Sequence, residues 1–553
     1  VRFHADLISG EILLIEDDAM ISSALSQGLG ELGVNASQLR HCKELATLPA
    51  LLGQHAFDAI ICRQYQHQAH DGIRLLHEAH YLGLLAPGCV LWLLGEEDDA
   101  GQFPPSDLYF PLRLPVPFTT EQLTNGLREL LMLIELTRPL ATPMGLREWR
   151  NACARCEDLL YQHSRHKGLG PQIDRVKGYM LLQEQDHFQA TQHYAMCTTE
   201  HDAWWPRKGL ILALLGLNRL ESARKDLARN QTRLPAAIHQ ELSLACLLHE
   251  AQWEPAWAAL GQLLHKYPWQ PEWRQVGILL ALLLKEEGKA LEQARSLTLR
   301  FFSEHRFRIS IEHVILSASL AVLWHNPTAA RIATLRQECD SLGQATTLRD
   351  HEAALLQALM LGLDYRFDEA LVLLARHPPE AARDHHLNQL LGFAVSQFCG
   401  LPQHARRYLA QLSQHQARVA PSPLLQRLFR LVITELGQQL EHREQRLASL
   451  RQGRQEAISA GQHQVAIQYG LTLLEEFPAL PGDAWQLLTL LQLCWPSGMP
   501  APGVAQLVDR LERRLNHSAA FLGQHAEAYQ ETLRQIRSHL APKLPPLGPH
   551  QGL

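Results

Sequence analysis

Long apolar runs are missing from this chain of 553 residues. A helix that spans a bilayer needs about 18 or more consecutive apolar residues. The most hydrophobic stretch, residues 277–284, is much shorter than that and ends at Lys285. We therefore expect no membrane-spanning segment.

An excess of positive charge is missing too. Lys and Arg number 51 against 57 Asp and Glu, which gives a formal net charge of −6 at pH 7. Proteins that bind nucleic acids usually carry a basic surface, so we predict that nucleic acids are not partners. Hydrophobic residues make up 46% and charged residues 20% of the chain, as in folded globular proteins.

Cysteines are few and scattered, with 10 in the whole chain. This pattern does not fit the disulfide framework of a small secreted domain. Cys62, Cys246 and Cys399 lie inside apolar segments, where a thiol packs as a small hydrophobic group. The pattern favours a reducing compartment, and we predict a cytoplasmic protein.

Signatures of catalysis are also absent. The chain has no nucleophile–base motif, no phosphate-binding loop and no metal-hydrolase motif. Cys153 and Cys156, followed by His163 and His166, have a spacing that resembles a zinc site, but the helix predicted at 146–164 would strain a fourth ligand. We favour an exposed polar helix with incidental cysteines, and predict no metal, no cofactor and no enzymatic activity.

Strand and helix patterns alternate in residues 11–136. Apolar runs stand at 12–15, 57–62, 90–94 and 108–112, with a weaker one near 34–39, and helical periodicity at 19–32, 73–85 and 119–136. This alternation predicts a parallel sheet that helices cover on both faces. Residues 95–107 have the chemistry of a loop, so we expect the helix of that connection to be shortened or lost.

From residue 148 to residue 540 the pattern predicts helices only, and it repeats. Ala190, Ala223, Ala256 and Ala290 follow one another at intervals of 33, 33 and 34 residues. Equivalent alanines stand at Ala330, Ala370, Ala405 and Ala466, apolar residues four positions later include Tyr194, Leu227 and Leu260, and prolines twelve positions later are Pro235, Pro268 and Pro478.

That interval is the length of a pair of helices. Two helices of ~12 residues and two turns take about 34 residues. The small residue allows the second helix to approach the first, the apolar residue one turn later fills the groove, and we expect the proline to end the pair. No pair buries its own apolar face, so the pairs must stack.

The repeats resemble tetratricopeptide repeats over most of residues 150–480. In the first helix, Gly178 and Leu181 match the small and large positions of that family, whereas Ile211, Leu244 and Ile278 stand where glycine is expected. The resemblance implies a superhelix whose groove binds a peptide or a partner protein. The alternative is a structural spacer.

The N-terminal region resembles the receiver domain of bacterial response regulators over residues 11–136. The motifs are Ile-Leu-Leu-Ile-Glu-Asp-Asp at 12–18, Phe-Asp-Ala-Ile-Ile-Cys at 57–62, Asp71-Gly72, and Pro117-Phe118 before the last helix. The resemblance implies a doubly wound, flavodoxin-like α/β fold. In working members it also implies Mg²⁺ beside a phosphorylatable aspartate.

Three parts that the resemblance requires for phosphoryl transfer are replaced. Glu16 and Asp17 keep the acidic pair that would hold Mg²⁺. Arg63 stands where the acceptor aspartate belongs, Leu94 where a hydroxyl residue belongs, and Val116 where a lysine belongs. We predict a degenerate site that does not bind Mg²⁺.

The arginine at position 63 suggests a reason why the site would bind no metal. A guanidinium beside Glu16 and Asp17 can pair with them bidentately and place a permanent charge where the metal would sit. Such a pair would hold the domain in one state; the alternative is that Arg63 points to solvent. Two other aspartates are weighed as phosphate acceptors, Asp58 at the far end of the sheet and Asp71 on the loop side.

Six of the eleven tryptophans are concentrated in one part of the repeats. They are Trp204, Trp205, Trp253, Trp257, Trp269 and Trp273. Tryptophan is common in binding hot spots, and it is also common in the core of repeats, which is the interpretation that we favour. If the repeats have a partner groove, we predict it here.

The order of the two parts resembles the VieB-type response regulators, which join a receiver to tetratricopeptide repeats without a DNA-binding or enzymatic output. We predict a degenerate receiver at 11–136, a linker at 137–147, a helical repeat domain at 148–540 and a disordered tail at 541–553. The resemblance implies a non-enzymatic signalling adaptor whose partner is a sensor kinase or a sister response regulator. The alternatives are a receiver that still accepts phosphate and controls the groove, and a regulator of transcription that binds DNA.

Overall fold

The computed structural model consists of two compact units. The first comprises Val1–Phe307 with Ala420–Leu428, and the second Arg308–Val419 with Phe429–Leu553. The structure describes scattered positions between 303 and 349 and residues 10–64, 71–95, 105–162, 169–297, 299–302, 350–378, 386–414, 422–477 and 479–540. The predicted tail, Ala330 and Pro478 lie outside these residues.

A five-stranded parallel sheet forms the N-terminal part of the first unit. Its strands are β1 (Glu11–Ile15), β2 (Leu39–Cys42), β3 (Phe57–Arg63), β4 (Val90–Leu94) and β5 (Phe110–Leu114). Their order is β2-β1-β3-β4-β5, and every neighbouring pair is parallel. This is the order of flavodoxin-like, doubly wound folds. The predicted α/β class is confirmed, although the weak strand expected near 34–39 lies at β2 instead.

Four helices accompany the sheet. They are α1 (Ala19–Glu31), α2 (Leu48–Gln54), α3 (Asp71–Tyr81) and α4 (Thr120–Leu146). Asp18 begins α1 because its carboxylate accepts the backbone N–H of Met20 at 2.9 Å. Thr119 and Gln122 form a capping box at the start of α4. Between β4 and β5, residues 105–109 are not helical; residues 96–104 lie outside the described part of the chain.

The predicted linker at 137–147 is wrong. Helix α4 continues to Leu146 with Pro139 and Pro143 inside it. Proline removes a helical hydrogen bond and costs about 3 kcal/mol in a helix interior. Here the apolar face of the helix continues past the prolines, because Leu140 and Met144 are as fully buried as the residues before them. Tertiary packing therefore overrides the local preference.

Everything described after α4 is helical or a connection. In the first unit the helices are α5 (Trp149–Gln162), α6 (Gly170–Gln183), α7 (His187–Glu200), α8 (Trp204–Gly216), α9 (Leu220–Arg229), α10 (Ala236–His249), α11 (Trp253–Lys266), α12 (Pro271–Leu284) and α13 (Glu287–Ser296). Then follow α14 (Asp350–Leu363), α15 (Phe367–Arg376), α16 (His386–Phe398), α17 (Pro402–Gln414), α18 (Pro423–Ser459), α19 (His463–Glu476), α20 (Pro481–Leu493), α21 (Ala501–Asn516) and α22 (Ala519–Leu540). Within the described residues, none of the helices combines the length and apolarity that crossing a membrane would take.

The turn inside each helical pair is the same in both units. Seven residues with positive φ, between 55° and 71°, each stand five positions before a repeat alanine: Gln185, Asn218, Ala251, Lys285, Tyr365, Gly400 and Gly461. The next residue donates its backbone N–H to the carbonyl five positions earlier, as Asp186 does to Leu181 at 3.1 Å and Gln462 does to Ala457 at 2.8 Å. These are Schellman motifs, and they identify the seven pairs as copies of one structural unit.

The repeat alanines are buried completely. Their exposed fraction is 0% at Ala190, Ala223, Ala256, Ala290, Ala370, Ala405 and Ala466. In the first helix, Ile211 and Leu244 stand in the register of Gly178 and are 0% exposed. A glycine that the register did not predict, Gly209, stands two positions before Ile211. A Cβ on Gly209 would lie 2.2 Å from the ring of Tyr194, so the large residue of one helix packs on the bare backbone of the next.

The two described prolines stand differently between one pair and the next. Pro268 directly follows Tyr267, the C-cap of α11, as predicted. Pro235 does not end a helix, because α9 ends at Arg229 and Pro235 is the N-cap of α10. Pro235 therefore begins the following pair, whereas Pro268 marks the end of its own.

One hydrophobic core joins the sheet to the first helices after it. It contains residues of β1, β3, β4 and β5 together with Trp149, Cys156, Ile173 and Val176. The prediction of an exposed helix around the cysteines is wrong, since Cys153 is 9% and Cys156 0% exposed. The boundary predicted between residues 147 and 148 therefore runs through the middle of a core.

The second unit has a buried charge cluster of its own. Asp483, which is 5% exposed, accepts hydrogen bonds from Arg451 at 2.6 Å and from Arg454 at 2.7 Å. A buried carboxylate is tolerated when it is paired in this way. The cluster ties α18 to α20.

Candidate functional site

The carboxyl edge of the sheet brings Glu16 and Arg63 together, as predicted. Each residue follows or ends a strand, and parallel strands end at the same edge of the sheet. Arg63 Nη1 lies 3.5 Å from Glu16 Oε1. The Glu16 side chain is fully buried and also accepts the backbone N–H of Asp18 at 2.9 Å. Burial raises the pKa of Glu16, against the opposing effects of the Asp18 amide and Arg63.

The pair is looser than the predicted bidentate one. Arg63 makes one contact with Glu16, and its side chain is 29% exposed. Asp17 is exposed and forms no ion pair within the part of the chain that the structure describes. Asp18 is engaged as the N-cap of α1. Of the three acidic residues in this turn, only Asp17 is exposed, and its side chain interacts with Glu16.

The other two replaced positions add no polar group to this edge. Leu94 is 0% exposed and belongs to the hydrophobic core. Val116 packs against the same core. Gln64, also fully buried, lies so close to Gly95 that a Cβ there would approach its side chain to 2.8 Å. Arginine, leucine and valine supply neither a nucleophile for phosphate nor a ligand for Mg²⁺.

Neither of the other aspartates stands in the acceptor position. Asp58 lies near the start of β3, at the opposite end of the sheet, with Arg138 Nη2 3.4 Å from its Oδ2. Asp71 is the first residue of α3, and its side chain lies outside the described residues. Arg63 alone occupies the end of the strand where the acceptor is expected.

Possible metal ligands cluster at a place that sequence reasoning missed. His163 and His166 lie outside the described residues, so the cysteine pair gains no ligand from them. Asp174, His193 and Cys197 have ligand atoms within 4.8 Å of one another. However, His193 Nε2 is 2.8 Å from the Asp174 carbonyl oxygen and 3.6 Å from Cys197 Sγ. The nitrogen that would face a metal is thus already bonded to the backbone, and we assign a hydrogen-bonded network here.

Helix α3 anchors the sheet domain to the repeats within the first unit. Glu78 is 0% exposed. Its carboxylate accepts the backbone N–H groups of Arg300 at 3.0 Å and Phe301 at 2.9 Å, as well as the Arg74 Nε–H at 2.7 Å. Hydrogen bonds to a charged acceptor are stronger than neutral ones. One buried side chain therefore holds residues 300–301 against α3.

Strand β5 is anchored in a similar way by α6. Arg175 donates to the carbonyl oxygen of Tyr109, and Gln172 Nε2 donates to the carbonyl oxygen of Pro111 at 3.1 Å. A free edge strand would leave such carbonyls to solvent or to another chain. Here the repeats satisfy them, so the β5 side of the sheet domain is engaged by its own chain.

A cavity of about 1020 Å³, open to solvent, lies where these elements meet in the first unit. The lining side chains come from the sheet domain, from the first helices of four successive pairs, from α7, from the connection before α12 and from residues 422–424. They include His77, His80, Asp107, Arg175, Tyr179, Tyr194, Trp204, Trp205, Lys208, Glu241, Tyr267, Gln270, Glu272, Trp273 and Ser422.

Charged groups in the cavity are arranged in pairs, with one exception. Lys208 Nζ is 2.9 Å from Glu241, and Arg175 Nε is 3.6 Å from Asp107 Oδ1. Burial opposes the charge of Lys208, but its carboxylate neighbours outweigh burial and raise its pKa. Glu272 forms no ion pair among the described residues. Its pKa is raised to about 7, first by burial and then by the nearby charge of Glu241.

The tryptophans divide between the cavity and the surface around it. Trp204, Trp205 and Trp273 line it. Trp269 lies close by, with its ring edge-on to His77 and 5.5 Å away. The remaining two, Trp253 and Trp257, stand on α11 and are not among the lining residues; Lys289 lies 5.2 Å from the ring of Trp257.

The charged residues of the cavity were missed by sequence reasoning, although a signal was present. Arg175, Lys208 and Glu241 follow one another at intervals of 33 residues, the period of the repeat. A charge at a fixed position of otherwise apolar helices indicates a shared polar surface. Once the alanine register was found, the same interval could have identified them.

Comparison with known proteins does not assign the chain to a family: a scan against models of protein families found no match, and a search of curated proteins found none either. The receiver and tetratricopeptide interpretations therefore depend on the residues and geometry described above.

Proposed function

We propose that the protein is a non-enzymatic signalling adaptor: a receiver-like domain that has lost phosphotransfer, joined to tetratricopeptide-like repeats that bind a protein partner. The observation that carries the proposal is Arg63 at the end of β3, with its guanidinium beside the buried Glu16. A cation in that place repels Mg²⁺, and a guanidinium has no nucleophilic oxygen to accept a phosphoryl group.

The contacts within the first unit support the adaptor function. A receiver that signals by phosphorylation must change the contacts of its surface. Here α3 and β5 are hydrogen-bonded to the repeats through Glu78 and Arg175. The partner is then bound by the repeats, and by analogy with two-component pathways it is a sensor kinase or a sister regulator in the cytoplasm.

Phosphate incorporation tests the first half of the proposal. The full chain is incubated with acetyl phosphate and Mg²⁺ and separated on a phosphate-affinity gel, with R63D as the matched variant. We expect no retarded band for the wild type. A retarded wild-type band that disappears with D58N or D71N would replace this proposal with a phosphorylation-gated regulator.

Partner capture tests the second half. The full chain is immobilised, and proteins retained from a lysate of its own source are compared for the wild type, W204L and the surface variant E254Q. We expect a two-component protein to be retained by the wild type and E254Q and lost with W204L. Retention of DNA in a gel-shift at moderate salt, with no protein retained, would contradict the proposal.

A further inference from the structure

The cavity in the first unit contains one more carboxylate than it has cations to match. Asp107, Glu241 and Glu272 line it together with Arg175 and Lys208. Lys208 is paired with Glu241 at 2.9 Å, and Arg175 lies 3.6 Å from Asp107. Both cations of the set are therefore engaged with carboxylates.

Glu272 is the carboxylate of this set without an ion pair of its own. Within the described residues it has no ion pair, and its hydrogen-bonding neighbour is the neutral Ser422. It stands in the first turn of α12, where the helix dipole favours a negative charge only modestly. Burial and the charge of Glu241 nevertheless raise its pKa to about 7. Lys208, which is paired with Glu241, offsets only part of these effects.

Aromatic rings surround the same space. The lining includes Tyr194, Trp204, Trp205, Tyr267 and Trp273. Tyr194 and Trp205 pack edge to face with their centroids 6.2 Å apart. Aromatic faces attract cations electrostatically. In addition, the indole N–H of Trp273, a residue that is 5% exposed, has no hydrogen-bond partner in the described part of the chain.

We propose that this cavity takes a lysine or arginine side chain from a peptide segment of the partner protein, with Glu272 as its ion-pair acceptor and the aromatic rings as its walls. The inference rests on the proposed adaptor function and adds the chemistry of the recognised segment. An acidic anchor is disfavoured, because it would meet an uncompensated carboxylate. Because the cavity is open to solvent, the residues that flank the anchor can remain outside it.

A peptide selection tests the inference and does not require the partner to be identified. A library of random heptapeptides is selected on the full-length wild type, E272Q and E254Q. Glu254 is the matched control, because it holds the equivalent second position of α11 and is exposed. We expect lysine or arginine to be enriched at one position with the wild type and E254Q, and that enrichment to disappear with E272Q.

The selected peptide then gives a quantitative readout by fluorescence anisotropy. We expect at least about tenfold weaker binding to E272Q, since a hydrogen bond to a charged group contributes roughly 1.5–3 kcal/mol and 1.4 kcal/mol is tenfold. W204L, which removes a ring and leaves the charge, is expected to weaken the same peptide. Thermal melting of each variant distinguishes lost binding from lost folding.

The failures of the two proposals are distinguishable. Peptides selected with no basic enrichment, or bound equally by the wild type and E272Q, would overturn the cationic anchor. If the native partner is still captured in a W204L-sensitive manner, the adaptor function survives that result. If neither a peptide nor a partner is bound by the wild type, both proposals fail.

Discussion

The carboxyl edge of the sheet and the cavity of the repeats both gather carboxylates, but they balance them differently. At the edge of the sheet, the buried Glu16 has Arg63 from its own chain. In the cavity, Lys208 and Arg175 stand beside Glu241 and Asp107, and Glu272 is left over. The buried carboxylate of the first site is paired, and we call that site closed; Glu272 in the second has no ion pair among the described residues, and we call that site open.

This difference indicates which of the two sites binds an added cation more favourably. A closed site gains little from an added ion, because the ion must displace a partner that is already present. An open site gains the full interaction with an incoming cation. The carboxyl edge of the sheet, which resembles a phosphorylation site, is therefore the site where we expect the weaker cation binding.

Reversing the charge of Arg63 should have the largest effect, because it removes the ion pair that distinguishes Glu16 from Glu272. R63D places a second carboxylate beside the buried Glu16, and we expect a loss of about 2 kcal/mol in the free energy of unfolding without metal. Mg²⁺ should restore part of that loss, because the site would then offer several oxygen ligands. Urea denaturation with and without 10 mM Mg²⁺ measures both effects. A wild type that Mg²⁺ stabilises equally would contradict the closed site.

Removing the charge of Lys208 should increase the excess of negative charge in the cavity. K208M leaves Glu241 and Glu272 without their nearest cation, and we expect a loss of about 1.5 kcal/mol at pH 8. The double variant K208M/E241Q should recover most of it, since the stranded charge is removed. A double-mutant cycle from denaturation midpoints checks this. Equal losses in the single and double variants would show that the methylene groups of Lys208 matter more than its charge.

Neutralising Glu272 should change the pH dependence of stability. Its pKa of about 7 lies above the 4.5 of an ordinary glutamate, so the folded state holds the proton more tightly. Stability from this group is complete below pH 4.5 and falls as the pH rises through 7. Since the side chain is partly exposed, we expect E272Q to be more stable than the wild type by about 1 kcal/mol at pH 8 and unchanged at pH 4.

The melting temperatures of E272Q and the wild type across that range measure the effect. Glu241, Lys208 and Asp107 are the charged groups that act on Glu272, so K208M should enlarge it. A constant difference between the two proteins at every pH would show that Glu272 does not titrate in this window.

Neutralising Asp17 should have the smallest effect on the free energy of unfolding. It serves as a reference for the other variants. Asp17 is exposed and forms no ion pair within the described residues, and its charge acts unfavourably on Glu16, so D17N should change the free energy of unfolding by less than about 0.5 kcal/mol. The same denaturation experiment measures it. A larger loss would indicate that Asp17 pairs with Arg63 in solution.

Local patterns were enough to predict much of the fold. The apolar runs predicted β1, β3 and β4, because buried parallel strands are continuous hydrophobic segments. The alanine period predicted the helical pairs, because close packing at Ala223 or Ala256 admits no larger side chain. The meeting of Glu16 with Arg63 followed from the rule that parallel strands end at one edge.

Other features depend on distant parts of the chain and could not be predicted locally. The linker prediction failed because Pro139 and Pro143 lie in a helix whose burial is decided by the sheet. The cavity combines Asp107, Lys208, Glu272 and Ser422, which only tertiary packing brings together. The turn residues were missed because Gln185 and Lys285 carry none of the glycine signal expected of a left-handed conformation.

Those turns determine how the stiffness of the repeat array can be adjusted. Five of the seven hold a side chain in a backbone conformation that costs an L-residue about 1–2 kcal/mol relative to glycine. Each lies at the end of a helix, away from the charged positions 175, 208 and 241. Replacing one of these turn residues by glycine, or a turn glycine by another residue, would change the stability of one helical pair at a time. Evolution can therefore tune the mechanical compliance of the scaffold independently of what the scaffold binds.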